Sequence, residues 1–198
     1  MTSDRSDLDR LGGRLALLSP DELDDAQRSV HRQLEALTGP ETRHDGFVAQ
    51  LDDGRFIDPF NAMLRSPELT IGLGGWIREI ARSGLSDDVR QVVILTVAGA
   101  WDAEYEIYAH RAAARAIGMS DNTIDAILAG AAPDGLGAEA TVAHDLAAAL
   151  LRTHDVPDVV YEACLRVFGE SGTIAILSLI AQYQMVSSLL VCFRVPAP

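Results

Sequence analysis

The sequence predicts an all-α protein with one domain. Three observations carry this: helix-start signals recur along the chain, the apolar residues between them fall at helical spacing, and no segment sustains the two-residue alternation with β-branched enrichment that a strand requires. At 198 residues and 48% hydrophobic content the chain is long enough for one sizeable core and too apolar to be disordered.

Residues 1–18 are charged with scattered leucine and read as a flexible N-terminal segment, mobile or draped over a neighbour, leaving 19–198 as the domain. Ser19-Pro20-Asp21-Glu22 supplies a cap, a proline and first-turn acids to a helix carrying Leu23, Ala26, Val30, Leu34 and Leu37, which Gly39-Pro40 stops. His31 stands on that helix among Arg28, Arg32 and Gln33 and reads as solvated. Residues 41–58 hold no sustained period and read as a loop anchored by Phe47, Val48, Leu51, Phe56 and Ile57. A loop of that length is often functional or wrapped around a partner subunit. Pro59 to Leu64 is a short helix, and Ser66-Pro67-Glu68 opens the next, bearing Leu69, Ile71, Leu73, Trp76, Ile77 and Ile80.

Leu85-Ser86-Asp87-Asp88 caps the stretch that dominates the chain, Ser86 to Gly118. As a single helix it would span roughly 50 Å, long for a domain of this size. Gly99-Ala100-Trp101-Asp102 offers a break, with Asp102 as N-cap of a second helix and Glu104 and Glu106 near its first turn. A hairpin there brings Gln91 near Glu106 and His110, which a continuous helix would hold more than about 20 Å away. Helices then follow over Asn122 to Ala129, Ala138 to Leu151, Val156 to Phe168-Gly169, and Thr173 to about Phe193.

Composition removes several function classes. The 16 basic and 29 acidic residues give a net charge of −13, which disfavours nucleic acid and anionic membranes as partners. Every basic residue is arginine, so no Schiff-base or P-loop lysine exists. Cys164 and Cys192 lack CxxC spacing and read as buried small apolar residues. The five histidines, His31, His44, His110, His144 and His154, show no HxxxH or HExxH spacing, so no metal and no cofactor is expected. The polar N-terminus has no apolar signal region, and the late apolar stretch is interrupted by Ser178, Gln182, Gln184, Ser187 and Ser188, so a core helix and a cytoplasmic protein are expected.

Glu106 and His110 are four residues apart and share a helix face with Ala109 and Ala113. Such a pair is ordinarily a surface or interface ion pair; among apolar side chains it is also where proton transfer at neutral pH is plausible. In the catalytic reading His110 is the general acid/base and Glu106 fixes its tautomer. Tyr105 or Tyr108 would donate to a developing enolate, and Arg194 would hold a substrate carboxylate. Trp101 reads as core, interface or pocket wall, and Tyr183 and Gln184 are polar among apolar neighbours. The rival reading is a non-catalytic helical binding or assembly module.

Four segments together resemble the carboxymuconolactone decarboxylase family: PFNAMLRSPEL at 59–69, LSDDVRQVVILTVAGAWDAEYEIYAH at 85–110, GMSDNTIDAI at 118–127 and FGESGTIAILSLIAQYQMVSSLLVCFRVPAP at 168–198. The resemblance implies an AhpD-like all-helical fold, a pocket near His110 and assembly into trimers or hexamers. It also implies a small-molecule substrate such as a carboxylated lactone. Where the peroxidase branch has a CxxC motif, this chain has Ala103 and Glu106, placing it with a cysteine-free branch and disfavouring dithiol peroxidase chemistry. Many members carry glutamate where this chain has Gln91, which hydrogen-bonds but exchanges no proton at neutral pH.

Overall fold

A computed structural model of the chain describes residues 8–38 and 46–198. Among them are eight α-helices and no strand: α1 (Asp25–Thr38), α2 (Pro59–Met63), α3 (Pro67–Ala81), α4 (Asp87–Trp101), α5 (Glu104–Ala116), α6 (Asp121–Leu128), α7 (Ala138–Thr153) and α8 (Asp158–Phe193).

α4 is the hub, packed by α5, α6, α7 and α8. Its run from Val92 to Ala98 is uncharged all round, and a helix apolar on every face has to lie inside. All seven of those residues are buried, and Thr96 meets the requirement of its hydroxyl locally by donating to Val92 O at 2.7 Å. Around it Ile124, Ile127, Leu146, Ile176 and Ile180 complete the main core.

The break expected after α4 is present, but Asp102 plays a different part in it. It ends α4 in the left-handed conformation, φ 49° and ψ 43°, and Ala103 occupies the start of α5 without a side-chain cap. A tight reversal needs one left-handed residue, and aspartate tolerates that conformation better than the apolar residues around it. Gly99 serves packing: a Cβ there would lie 2.7 Å from Leu128 O on α6, so only glycine admits the neighbouring backbone. The last two expected helices are joined in α8, with Gly169 at φ 66° and ψ −177° as the kink between them. α8 alone among the described helices is long and apolar enough by composition to cross a membrane, and its buried stripe packs on α4 and α7.

Four further expectations need correction. Ser19-Pro20 begins only a short 3-10 turn; α1 starts at Asp25, after a reciprocal capping box in which Gln27 N–H donates to Asp24 Oδ1 at 2.8 Å and Asp24 N–H to Gln27 Oε1 at 3.0 Å. His31 is buried, not solvated, because its ring tilts over Phe56 and Nε2 bonds Gly54 O at 2.9 Å. Cys164 is buried as expected, with its thiol pushed up by burial, whereas Cys192 is exposed on the outer side of α8. The segment expected to be flexible is docked from residue 8 onward: Arg14 N–H donates to Phe193 O at 2.7 Å, and Leu17 is buried with Leu190 and Val195. Residues 1–7 and 39–45, including His44, lie outside the described residues.

Candidate active site

The hairpin delivers Gln91 from α4 and Glu106 and His110 from α5 to one point. His110 Nδ1 lies 2.8 Å from Gln91 Oε1, and His110 Nε2 lies 3.0 Å from Glu106 Oε1. Both ring nitrogens are therefore engaged by the protein, which sequence spacing alone did not reveal. With the Gln91 carbonyl accepting, Nδ1 carries a proton, and Nε2 faces the Glu106 carboxyl group. The His110 ring meets Tyr183 of α8 edge to face, with centroids 5.2 Å apart.

This group opens on a cavity of about 280 Å³ between α1, α2, α3, α5 and α8. Leu34, Phe60, Met63, Ile77 and Val186 give it an apolar wall, into which Asp58, Glu106, His110, Gln182 and Tyr183 bring the polar groups. Glu106 is 4% exposed, a deeply buried carboxylate whose charge partner is the imidazole.

Asp58 and Gln182 were missed as site residues by sequence reasoning. Asp58 precedes Pro59 and caps α2, its Oδ1 accepting from Phe60 N–H at 2.9 Å. That sequence pattern reads as a helix start and hides the burial, since Asp58 is only 4% exposed. Burial pushes its carboxyl well above the usual range and the Glu106 charge adds to the rise, against the lowering by backbone N–H groups. Burial thereby favours the protonated form of Asp58 beside Glu106. Gln182 was legible in principle: it falls on the helical stripe Leu179, Gln182, Val186 and Leu190, every member of which is buried.

The other expected site residues divide. Tyr183 lines the cavity, and burial, reinforced by Glu106, raises its hydroxyl pKa so that it stays a donor. Tyr105 contributes to the wall, but its hydroxyl donates to Val48 O at 2.7 Å, while Tyr108, outside the lining, accepts from Val48 N–H at 3.0 Å. The two tyrosines thus hold both polar groups of one peptide segment and fasten Phe47 over the cavity. Burial and the nearby acids push the Tyr105 hydroxyl upward as well. Trp101, at the end of α4, is 38% exposed and outside the lining. Arg194 is exposed at the end of α8 in the left-handed conformation, also away from the cavity. Among the described residues no group of three or more His, Cys, Asp or Glu side chains converges as a metal site.

Residues 70–149, which contain Gln91, Glu106 and His110, match the carboxymuconolactone decarboxylase family. No curated protein matches the sequence. Among solved structures the chain is similar to an uncharacterised peroxidase-related protein from Ralstonia eutropha JMP134, described as an alkylhydroperoxidase AhpD core. The two share a TM-score of 0.70 at 15% identity, over 93% of this chain and 92% of that one. The hairpin region at 70–149 is thus similar to the carboxymuconolactone decarboxylase family, and the chain as a whole has an AhpD-like all-helical fold.

Proposed function

We propose that the protein is a cofactor-independent general acid/base enzyme acting on a small enolisable metabolite by decarboxylation, isomerisation or cyclisation. The observation that carries this reading is the His110 ring held between a hydrogen bond to Gln91 and a 3.0 Å ion-pair contact with the buried Glu106 carboxylate at the wall of an apolar cavity. A non-catalytic module would have no use for a buried ion pair facing open space, and a pair occluded by packing would have favoured that rival.

The roles within the pair follow from which atoms are free. Both nitrogens of His110 are occupied, whereas among the described residues nothing hydrogen-bonds Glu106 Oε2. Glu106 is thus the group that takes a proton from carbon next to a carbonyl. His110 is its positioning and charge-compensating partner, and Gln91 orients the ring. The enolate left behind is stabilised by the neutral donors of the wall, Tyr183 and Asp58, and the proton is returned from Glu106 at the product carbon. The solved relative is called peroxidase-related, but dithiol peroxidase chemistry is disfavoured here because Ala103 and Glu106 stand at the CxxC positions.

The test is a screen of β,γ-unsaturated lactones for isomerisation in D₂O and of β-keto acids for decarboxylation, run on wild type, Glu106→Gln and His110→Ala. Loss of about 10²–10⁴-fold in both variants with folding intact is expected. Unchanged turnover in both would remove the pair from the mechanism. We also propose self-association as a trimer or hexamer, supported by the outward Leu69 (74% exposed), Ile71 and Trp76 of α3 and Val159 and Ile174 of α8. Light scattering that returned a monomer would sink it.

A further inference from the structure

We infer that the substrate of this site has two parts, an enolisable carbonyl head and an apolar alkyl or aryl substituent that lies over Gly74 of α3. Gly74 sets how large that substituent can be. The inference deepens the acid/base reading and rests on it for which end of the substrate reacts.

The cavity wall divides by element. Glu106 and His110 come from α5, Gln182 and Tyr183 from α8, and Asp58 from the head of α2. Helices α1 to α3 add Leu34, Phe60, Met63, Thr70 and Ile77. Of these only Thr70 has a polar side chain, and its hydroxyl is engaged by its own chain, donating to Met63 O at 2.7 Å with Ser66 O 3.0 Å away. A hydroxyl satisfied in this way gives a ligand no handle. A carbonyl pressed against that side would lose its water with no partner in return, whereas an apolar substituent gains contact there. The head therefore belongs with the ionisable groups of α5 and the substituent with α1 to α3.

Gly74 is the particular feature of that apolar side. Thr70, Gly74 and Ile77 recur at helical spacing and form the face of α3 turned to the cavity. Gly74 is half-buried in the middle of this face, yet a Cβ built on it would meet nothing within 4 Å. Packing therefore does not call for glycine, in contrast to Gly99, where a Cβ would lie 2.7 Å from Leu128 O. Nor does the backbone, since residue 74 lies in the regular interior of α3, where glycine is a less stable choice than alanine. The space a side chain would fill is cavity, and the missing Cβ keeps it open. The Gly74 N–H is spent within the helix ladder, so the floor it forms has no free donor and suits a hydrocarbon group. Gly72 supplies the comparison within the same helix: it is equally uncrowded, but it is exposed on the outward stripe with Leu69 and Trp76 and does not line the cavity.

The experiment titrates the protein with two γ-lactones that share a ring, one bearing a methyl and the other a pentyl group, by ligand-observed NMR near neutral pH. Wild type is expected to bind the pentyl lactone at least about tenfold more tightly, the gain from burying roughly two of its extra methylenes. Gly74→Leu is expected to weaken pentyl binding at least about tenfold and to leave methyl binding within about twofold. Gly74→Ala is expected to weaken pentyl binding about threefold while raising Tm. Gly72→Ala is expected to raise Tm by the same helix effect and to leave both affinities unchanged. Equal affinity of wild type for the two lactones, or binding of neither at millimolar concentration, overturns the proposal. So does pentyl binding that is unchanged in Gly74→Ala, or that falls as far in Gly72→Ala as in Gly74→Ala. Because binding is read without turnover, the two readings separate: a pentyl preference set by Gly74 in a protein that fails the isomerisation and decarboxylation screen removes the acid/base reading alone. Turnover without that preference removes this one alone.

Discussion

The two arms of the central hairpin are of similar length and meet at one turn, yet they obey different rules. α4 is submerged: Val89, Val92, Val93, Leu95, Val97 and Ala98 have no exposed surface, and nothing charged lies between Val92 and Ala98. α5 buries Glu106 and Tyr105 and brings His110 to the edge of a cavity, so that its inward face holds ionisable groups where α4 holds methyl groups. The difference teaches where stability is made and where it is given up. Close-packed apolar side chains favour folding without qualification. A buried carboxylate lowers stability and persists only if function requires it.

That contrast makes opposite predictions for substitutions in the two regions. The largest effect belongs to the core arm: Leu95→Ala should cost about 2–5 kcal/mol, as the fully enclosed side chain leaves a cavity its neighbours cannot fill. Denaturant unfolding measures it, and a loss under about 1 kcal/mol would mean that α4 is less tightly held than its burial implies. Next is Gly99→Ala, whose new Cβ would meet Leu128 O at 2.7 Å and force α4 and α6 apart. A loss of about 1–3 kcal/mol is expected by the same measurement.

The smallest effect has the opposite sign and lies at the cavity. The Asp58 carboxyl titrates higher in the folded chain than in the unfolded one, chiefly through burial. The folded state therefore binds more protons, and stability falls as pH rises from the ordinary aspartate range toward the folded pKa. Asp58→Asn keeps an acceptor for Phe60 N–H and removes the titration. Its Tm should exceed that of wild type at mildly alkaline pH, with the gap closing below about pH 3, where aspartate is protonated in both states. A Tm lower than wild type throughout would assign Asp58 to structure rather than to the cavity's chemistry.

The same physics explains how far the chain could be read without its fold. Helix content, the break after Trp101 and the approach of Gln91 to Glu106 and His110 were legible because they depend on local signals: caps, glycine and proline stops, and the four-residue neighbour rule. His31 and Asp58 were misread or missed for one reason. Each looks locally like a polar surface residue, and only Phe56, Gly54 and the packing of α2 against its neighbours remove it from water. Arg194 and Trp101 failed in the reverse sense, as chemically suitable residues that the course of α8 and the end of α4 leave outside the cavity.

By itself, then, the sequence determined an all-helical chain with a central hairpin and a Glu106–His110 pair, because periodicity and spacing along one helix are properties of consecutive residues. Only the tertiary structure decided that both nitrogens of His110 are occupied, that Glu106 keeps the free oxygen, and that Asp58 and Gln182 share its cavity. Those facts depend on which helices face each other across a few ångströms, and burial of a polar group is set by neighbours that are distant in the chain.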